Sequence, residues 1–206
     1  MAILKMYYIK IKSKKGEKMK RGNLGLMIVI ILIVIIGISL ISGYNGLITK
    51  QENVQNAYSN LDVMLQRRAD LIPNLVSTVK GYTEHENEVI EKITDARAKL
   101  VSADGIAEKS QANEELTTSL NALMLVVENY PDLKSSQNFI QLSDELAGTE
   151  NRIAVARKDY NDVVKSFNTS IKRFPNNVLS GLFGFEQIEY FQASEGSAEV
   201  PSVSFE

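Results

Sequence analysis

The sequence contains no cysteine and no tryptophan, and His85 is its only histidine. Without cysteine, the chain cannot form a disulfide, a thiolate metal site or a cysteine nucleophile. This absence fits either side of a membrane, so it does not locate the protein. One histidine also cannot supply the two Glu-x-x-His pairs of a di-iron helical bundle. The scarce residue types therefore exclude thiol chemistry and a di-iron centre.

The motifs of common enzyme classes are missing as well. Residues 85–89 read HENEV and begin like a zinc-protease helix, but Val89 stands where the second histidine must be. The chain has no G-x-S-x-G elbow and no glycine-rich phosphate loop. Neighbouring carboxylates such as Asp144 and Glu145 fall on predicted helices, where a solvated face explains them. We therefore expect no enzymatic activity, no metal site and no cofactor. An enzyme would need a polar cleft that shifts a carboxylate pKa.

One long apolar run stands out from the rest of the sequence. Residues 24–41 contain neither a charged residue nor a proline. At about 1.5 Å of rise per residue, a helix of this length spans most of a ~30 Å hydrocarbon core. A cleaved signal peptide and a buried core helix are the alternatives, but residues 41–44 form a poor cleavage site. We predict an uncleaved transmembrane helix over residues 24–42.

Charge is divided sharply around this run. Residues 1–23 carry eight Lys or Arg against one acidic residue, whereas the rest of the chain carries 15 basic and 24 acidic residues. Positive charge beside a span tends to stay cytoplasmic, so we expect a cell-membrane protein with its N-terminus inside and its domain outside. Met19 resembles a natural start, in which case residues 1–18 are not translated and this contrast shrinks. The acidic domain argues against nucleic-acid binding.

Beyond the span, apolar residues recur at the heptad spacing of a helix packed along a partner helix. The two rows are Leu47, Val54, Leu61, Arg68, Leu75, Tyr82 and Tyr44, Gln51, Tyr58, Leu65, Ile72, Val79. The rows stay in register past Pro73, which predicts a kink and not a chain reversal. Gly81 favours the end of this helix, and Thr83 and Glu86 have the spacing of a capping box for the next helix.

The sequence patterns predict four helices, over residues 44–81, 83–103, 111–130 and 134–173. Pro131 and Pro175 end the third and the fourth. Two long and two short helices with short connections fit an antiparallel bundle over residues 43–175. The heptad row also continues in phase beyond Gly81, so a single rod is the alternative, but it would leave most of the fourth helix without a partner. We predict an all-α protein with an N-terminal transmembrane helix and an antiparallel four-helix bundle.

The antiparallel arrangement predicts two ion pairs. It places Arg68 opposite Glu150, and Asp62 near Arg157. A guanidinium in a hydrophobic seam is costly unless it is paired, and such a pair serves register more than stability. The alternative is that Arg68 extends its charged head into water.

Residues 176–206 follow the last long helix. They predict one helical turn over 176–183, then an aromatic cluster and a small, acidic end. The cluster consists of Phe183, Phe185, Tyr190 and Phe191. Because the fourth helix returns toward the span, we expect this cluster near the bilayer surface, where amphipathic aromatics are common. A flap packed over the open end of the bundle is the alternative.

Several segments have a distinctive sequence, namely residues 44–47, 61–76, 79–82, 94–97, 128–134, 149–157, 160–161, 174–175 and 183–185. Together they resemble the LemA family. Residues 67–76, which read RRADLIPNLV, are the most specific. The resemblance implies a bacterial single-pass membrane protein with an antiparallel helical bundle and without an established enzymatic activity or cofactor. Some family members are encoded beside a membrane metalloprotease and some relatives are linked to magnetosome membranes, but neither property transfers to a residue of this chain.

These features predict a membrane-anchored, non-enzymatic scaffold or adaptor that presents its bundle to envelope or membrane proteins. The candidate partner contacts are polar residues of the motif segment, residues 66–76, and aromatics of the cluster at residues 183–191, namely Arg67, Asp70, Asn74, Phe183, Phe185 and Phe191. We expect the lipid bilayer and other membrane proteins as partners, and a homo-oligomer in addition. The alternative is an oligomerising membrane-remodelling protein, which would form large ordered assemblies in liposomes or tubulate them.

Overall fold

A computed structural model gives the fold and describes residues 2–83 and 85–192, with side chains from Leu24 onward. All regular structure in these residues is helical, which confirms the all-α prediction. The helices are α1 (Ala2–Lys80), α2 (Asn87–Ser102), α3 (Ile106–Val127), α4 (Pro131–Lys134), α5 (Gln137–Lys172) and α6 (Asn176–Phe183). The two long and two short helices are present, and a single turn, α4, is added between α3 and α5.

The first helix contains both the apolar run and the first long helix of the bundle. The apolar side chains of the run remain exposed, with Leu26 at 63 % and Ile41 at 64 %. A helix satisfies its own backbone hydrogen bonds, so an exposed apolar helix of this length is suited to a bilayer. The expected continuity between the span and the bundle, through Ser42 and Gly43, is confirmed.

The passage of α1 through Pro73 depends on an arginine of α2. Proline has no N–H, so the carbonyl of Ala69, four residues earlier, loses its helical hydrogen bond. Ala69 is fully buried, and a buried carbonyl without a partner is costly. The Nε of Arg97 donates a hydrogen bond to this carbonyl at 2.8 Å. Pro73 and Arg97 are therefore complementary, and their shared carbonyl holds α2 against α1.

The predicted break at Gly81 is confirmed, but the predicted capping box is wrong. Helix α1 ends at Lys80, and α2 begins at Asn87. The hydroxyl of Thr83 donates to the carbonyl of Val79 at 3.1 Å, so the buried Thr83 closes α1 and does not open α2. Glu86 precedes α2 but makes no side-chain cap, because its carboxylate accepts the hydroxyl of Tyr130 at 2.9 Å.

The long helices α1 and α5 run antiparallel along their whole shared length. Near the membrane end, the Lys50 ammonium lies 2.7 Å from the Ser166 hydroxyl. The α2–α3 hairpin covers only the half of α1 that is distant from the membrane. Of the hydrogen bonds and ion pairs that the described hairpin residues make with α1, the one between Lys109 and Asp62 lies nearest the membrane. The four-helix cross-section that we predicted is therefore limited to this distant half.

The core follows the heptad rows of α1 and the matching rows of the other helices. Its largest fully buried side chains are Leu47, Leu61, Leu65, Ile72, Leu75, Val79, Ile93, Leu116, Leu123, Leu133, Ile153 and Phe167. Apolar residues from every helix of the bundle enter this single cluster, so burial of apolar surface holds the helices together.

The half of the α1–α5 pair nearer the membrane is covered by the extended segment 184–192. Gly184 adopts a left-handed conformation with φ of 73°, which turns the chain out of α6. The segment then runs back along α5 and places Phe191 in the core at 2 % exposure. Its last described residue, Gln192, accepts a hydrogen bond from the Ser110 hydroxyl at the start of α3. The segment thus completes the bundle where the short hairpin stops.

Two asparagines of α5 bind the main chain of this segment. Asn168 donates to the carbonyl of Ile188 at 2.8 Å and accepts its N–H at 2.9 Å. Asn161, seven residues earlier, makes the same two bonds to Phe191, at 3.0 and 2.9 Å. An extended segment without a neighbouring strand has unpaired N–H and C=O groups, which must be satisfied when they are covered. The two amide side chains supply these bonds as a strand would.

The complementarity of Pro73 and Arg97 predicts a coupled stability effect. Arg97→Ala should lower the free energy of unfolding by about 1–3 kcal/mol, because the buried Ala69 carbonyl loses its donor. In a Pro73→Ala background, the new N–H restores the helical bond, so Arg97→Ala should cost about 1 kcal/mol less. Urea unfolding of the four proteins in a mild detergent measures both costs. An equal cost in both backgrounds would contradict the coupling.

The asparagine bonds predict how the extended segment is held. Asn161→Ala and Asn168→Ala each remove two hydrogen bonds, so each should weaken docking of the segment by about 1–3 kcal/mol. Amide exchange at Ile188 and Phe191 should then accelerate roughly tenfold to a hundredfold. Hydrogen exchange measured by mass spectrometry follows these amides. Asn151→Ala is the matched control, because Asn151 is exposed on the same helix. Acceleration equal to that of the control would refute this role.

Candidate functional site

Arg68 lies at the centre of the bundle, where it contacts two other helices. Its Nη1 lies 2.7 Å from Oε2 of Glu150 in α5 and donates to Oδ1 of Asn113 in α3 at 2.6 Å. The structure thus brings together the two residues that the antiparallel register pairs. Extension of the head into water is excluded, because the side chain of Arg68 is only 4 % exposed. The contact of Arg68 with Asn113 was not predicted, because the sequence carries no signal for the rotation of α3 about its own axis.

The electrostatic environment of Arg68 is only partly complementary. Burial lowers the pKa of the Arg68 guanidinium, and the charge of Glu150 opposes this effect. Among the described residues, Arg68 Nε has no hydrogen-bond partner, and the Glu150 oxygen lies within ion-pair distance but outside hydrogen-bond geometry. Glu150 itself remains 42 % exposed, so it is partly solvated. Such a group specifies which residues must face one another more than it stabilises the fold.

The predicted pair between Asp62 and Arg157 is wrong. Asp62 instead forms an ion pair with Lys109, at the start of α3. Because the connection between α2 and α3 is short, the Lys109 ammonium lies on the side of α1 that carries Asp62. Arg157 makes no salt bridge within the described part of the chain. The pairing of the two long helices alone misassigned Asp62, because the predicted third helix began at residue 111 and did not include Lys109.

Arg67, Asp70 and Asn74 are exposed on the side of α1 that faces away from α2. Arg67 lines a shallow open cavity of about 540 Å³ with residues of α5. The polar lining on α5 consists of Gln137, Gln141, Asp144, Glu145, Thr149 and Arg152. Asp70 accepts a hydrogen bond from the Gln66 amide at 2.8 Å. Two of the three motif residues are thus outside this cavity, although all three are exposed.

A second depression of about 430 Å³ adjoins the first and is largely apolar. Ala57, Asn60 and Met64 line it from α1, and Asn151, Arg152, Val155, Ala156 and Asp159 line it from α5. Val155 in its lining is 61 % exposed, and Val63, which precedes Met64 on α1, is 60 % exposed. The heptad pattern did not predict this depression, because its residues lie at the edge of the helix interface. It arises where small side chains of two helices meet.

The three aromatic candidates of the tail have different environments. Phe183 is 58 % exposed, and its ring centre lies 4.8 Å from that of Tyr44. Phe185 is half-buried between Tyr44 and Phe167, at 5.8 and 6.4 Å. Phe191 is buried in the core, so its assignment as a partner contact is wrong. Residues 184–192 fold back into the groove of α1 and α5, which is the flap that was the alternative.

Within the described residues, no group of three His, Asp or Glu side chains is placed to hold a metal ion. Burial raises the pKa of Tyr160 to about 12, with smaller contributions from Tyr58 and Glu189. The Tyr160 hydroxyl donates to the Glu189 carbonyl at 2.9 Å, which fixes the extended segment.

Glu150 supplies the carboxylate that faces the buried Arg68. Loss of this negative charge should therefore destabilise the bundle. Glu150→Gln should lower the free energy of unfolding by about 1–3 kcal/mol, less than for a fully buried pair because Glu150 is partly solvated. Glu145→Gln on the exposed face of the same helix is the matched control and should change it by less than about 0.5 kcal/mol. Urea unfolding in a mild detergent, followed by circular dichroism, compares the two. Equal effects would show that the Arg68 pair is dispensable.

Similar proteins extend these observations. The model of the LemA family matches residues 57–205. Magnetosome protein MamQ 2 of Paramagnetospirillum magneticum is 30 % identical, and the match covers 85 % of this chain and 75 % of the relative. Magnetosome protein MamQ of Magnetospirillum gryphiswaldense is 28 % identical, and the match covers 87 % of this chain and 76 % of the relative. Protein LemA of Metamycoplasma hominis is 32 % identical over 154 residues, covering 73 % and 69 %.

The family match covers most of the bundle and the segment that follows it, from residue 57 onward. Arg68, Pro73 and Arg97 all lie in segments that resemble the family and inside the matched range. Because the matched range covers more than half of the chain and the relatives cover most of it, the chain belongs to the LemA family.

Proposed function

We propose that this protein is a membrane-anchored, non-enzymatic scaffold or adaptor that offers the outer face of α1 and α5 to other membrane or envelope proteins. One observation carries the proposal. The polar cavity beside Arg67 and the apolar depression beside Met64 adjoin and share Arg152 as a common lining residue. An apolar centre with a polar margin is the usual composition of a protein–protein interface. We call this region the α1–α5 face.

The exposure of apolar side chains supports this assignment. Val155 lines the depression from α5, Val63 precedes Met64 on α1, and both stay more than half exposed. The fold does not need them in its core, which lies on the other side of both helices. Exposed apolar residues that are clustered and rimmed by polar groups favour an interaction surface. Arg67 and Arg152 add charged groups that a partner with carboxylates would satisfy.

The proposed orientation places the N-terminus in the cytoplasm and the bundle outside it. The basic residues of the segment before residue 24 support this orientation. Protease added to intact cells should then cleave the bundle, whereas a cytoplasmic bundle would be cleaved only after lysis.

A second candidate is a membrane-remodelling protein that oligomerises along the bilayer. Two relatives are named magnetosome proteins, which favours a role connected with a membrane compartment. In this case the α1–α5 face would receive a second copy of the chain and not a different protein. Large ordered assemblies of purified protein in liposomes would support this candidate over the adaptor.

Crosslinking from the α1–α5 face tests the proposal. A photoreactive amino acid replaces Arg67 or Val155 in the full chain, and Glu91 on the exposed side of α2 is the matched control position. We expect the two face positions to crosslink at least several-fold more of a defined membrane or envelope protein than the control does. Mass spectrometry identifies the product. A Val155→Asp substitution should reduce crosslinking from Arg67, because a charge would have to be buried in the depression.

The outcomes separate the two candidates. Crosslinks to other membrane or envelope proteins support an adaptor, and crosslinks only to this chain support the oligomerising alternative. Crosslinks only to lipid, or equal yields from the face and from Glu91, would refute the proposed role of the α1–α5 face.

A further inference from the structure

We propose that α6 is a second membrane contact, and that its outward apolar row lies in the headgroup region of the bilayer that α1 crosses. The row consists of Val178 and Leu182, one helical turn apart on α6, and Phe174 in the turn immediately before it. Phe174 is 83 % exposed, Leu182 is 74 % exposed and Val178 is 49 % exposed. This inference rests on the membrane anchor and is independent of the scaffold role.

The position of α6 beside α1 supports a lipid partner. A Cβ atom at Gly43 would lie 2.9 Å from Leu179 Cδ1 and 3.0 Å from Asn176 Oδ1, so α6 packs closely against α1 at this glycine. Gly43 follows the last residue of the apolar run, Ile41, by two residues. At 1.5 Å of rise per residue, this is only about 3 Å along α1. Each headgroup layer is about 5–8 Å thick, so α6 lies at its level.

The row is not needed for the packing of α6 on the bundle. The opposite face of α6 already supplies the buried contact, with Leu179 at 4 % exposure. The Ser180 hydroxyl donates to the carbonyl of Ile171 at 3.0 Å and thereby ties α6 to the end of α5. Helix α6 therefore has one face for the protein and one apolar face without a protein partner among the described residues. A bilayer surface accepts such a face.

Tethering compensates for the short length of α6. An isolated helix of two turns binds a membrane weakly because it must be ordered and brought to the surface. Here the fold orders the helix, and α1 holds it beside the bilayer, so the contact is intramolecular in effect. Lys172 and Arg173, both exposed immediately before the row, are within reach of lipid phosphates. The lipid chemistry that fits is an interface with anionic headgroups.

The absence of tryptophan from the sequence allows a direct test. Leu182→Trp places a single indole in the row, and Ile38→Trp places one in the span. Leu125→Trp is the matched control, because Leu125 is also 74 % exposed but lies near the far end of α3. Each full chain is reconstituted in vesicles of phosphatidylcholine and phosphatidylglycerol, with and without lipid brominated close to the headgroup. Bromine quenches only an indole that contacts the lipid.

We expect Leu182→Trp to lose at least half as much fluorescence to brominated lipid as Ile38→Trp does, and its emission to shift to the blue. Leu125→Trp should be unaffected. Val178→Trp gives the same readout if Leu182→Trp does not fold, as judged by its thermal unfolding. Quenching of the row no greater than at Leu125 would overturn the proposal. A blue shift without quenching would also overturn it, because the row would then be covered by protein.

Discussion

A single buried guanidinium connects the three helices on which the bundle depends. Arg68 of α1 meets Glu150 of α5 and Asn113 of α3 within one cluster. A cation at this depth is acceptable only where a carboxylate faces it, so any slip of α5 along α1 would leave it uncompensated. The apolar rows favour many registers of similar energy, whereas this charge favours one. Because the Glu150 carboxylate remains partly solvated, the cluster lowers the stability of the fold only modestly. Its main effect is to specify the register of α5 along α1.

The unequal lengths of the helices determine the remaining architecture. The α2–α3 hairpin covers only the distant half of α1 and α5, and the nearer half would expose an apolar groove. The extended segment after Gly184 fills this groove, but a single extended chain brings unpaired backbone groups with it. Asn161 and Asn168 satisfy these groups at Phe191 and Ile188. A similar logic operates at Pro73, where Arg97 replaces a donor that the proline lacks.

The arrangement gives the two ends of the bundle different environments. The end nearer the membrane, which we call the foot, contains α6, the Tyr44–Phe183 contact and the continuous connection to the apolar span. The α1–α5 face extends away from the foot along the side opposite α2. If the foot rests on the bilayer, this face stands beside the membrane, where a membrane-bound partner can reach it. The membrane anchor and the proposed interaction surface thus lie at different positions along one long helix.

Sequence alone determined the features that depend on local pattern. The apolar run, the heptad rows, the break at Gly81 and the turn over residues 176–183 follow from hydropathy and backbone preference, which act over a few residues. The opposition of Arg68 and Glu150 follows from the predicted ends of the two long helices, because matching the ends of two antiparallel helices fixes which residues lie opposite one another. These features sufficed for the fold class, whereas the family resemblance came from specific segments such as residues 67–76.

Tertiary structure alone decided which side chains meet across non-adjacent elements. It assigned Asp62 to Lys109, directed Thr83 to α1 and buried Phe191, because hairpin length and tail path have no periodic signal in the sequence. It also paired Pro73 with Arg97, although both residues lie in segments that resemble the family. A carbonyl freed by proline is visible in the sequence, but the donor that satisfies it is chosen by three-dimensional packing.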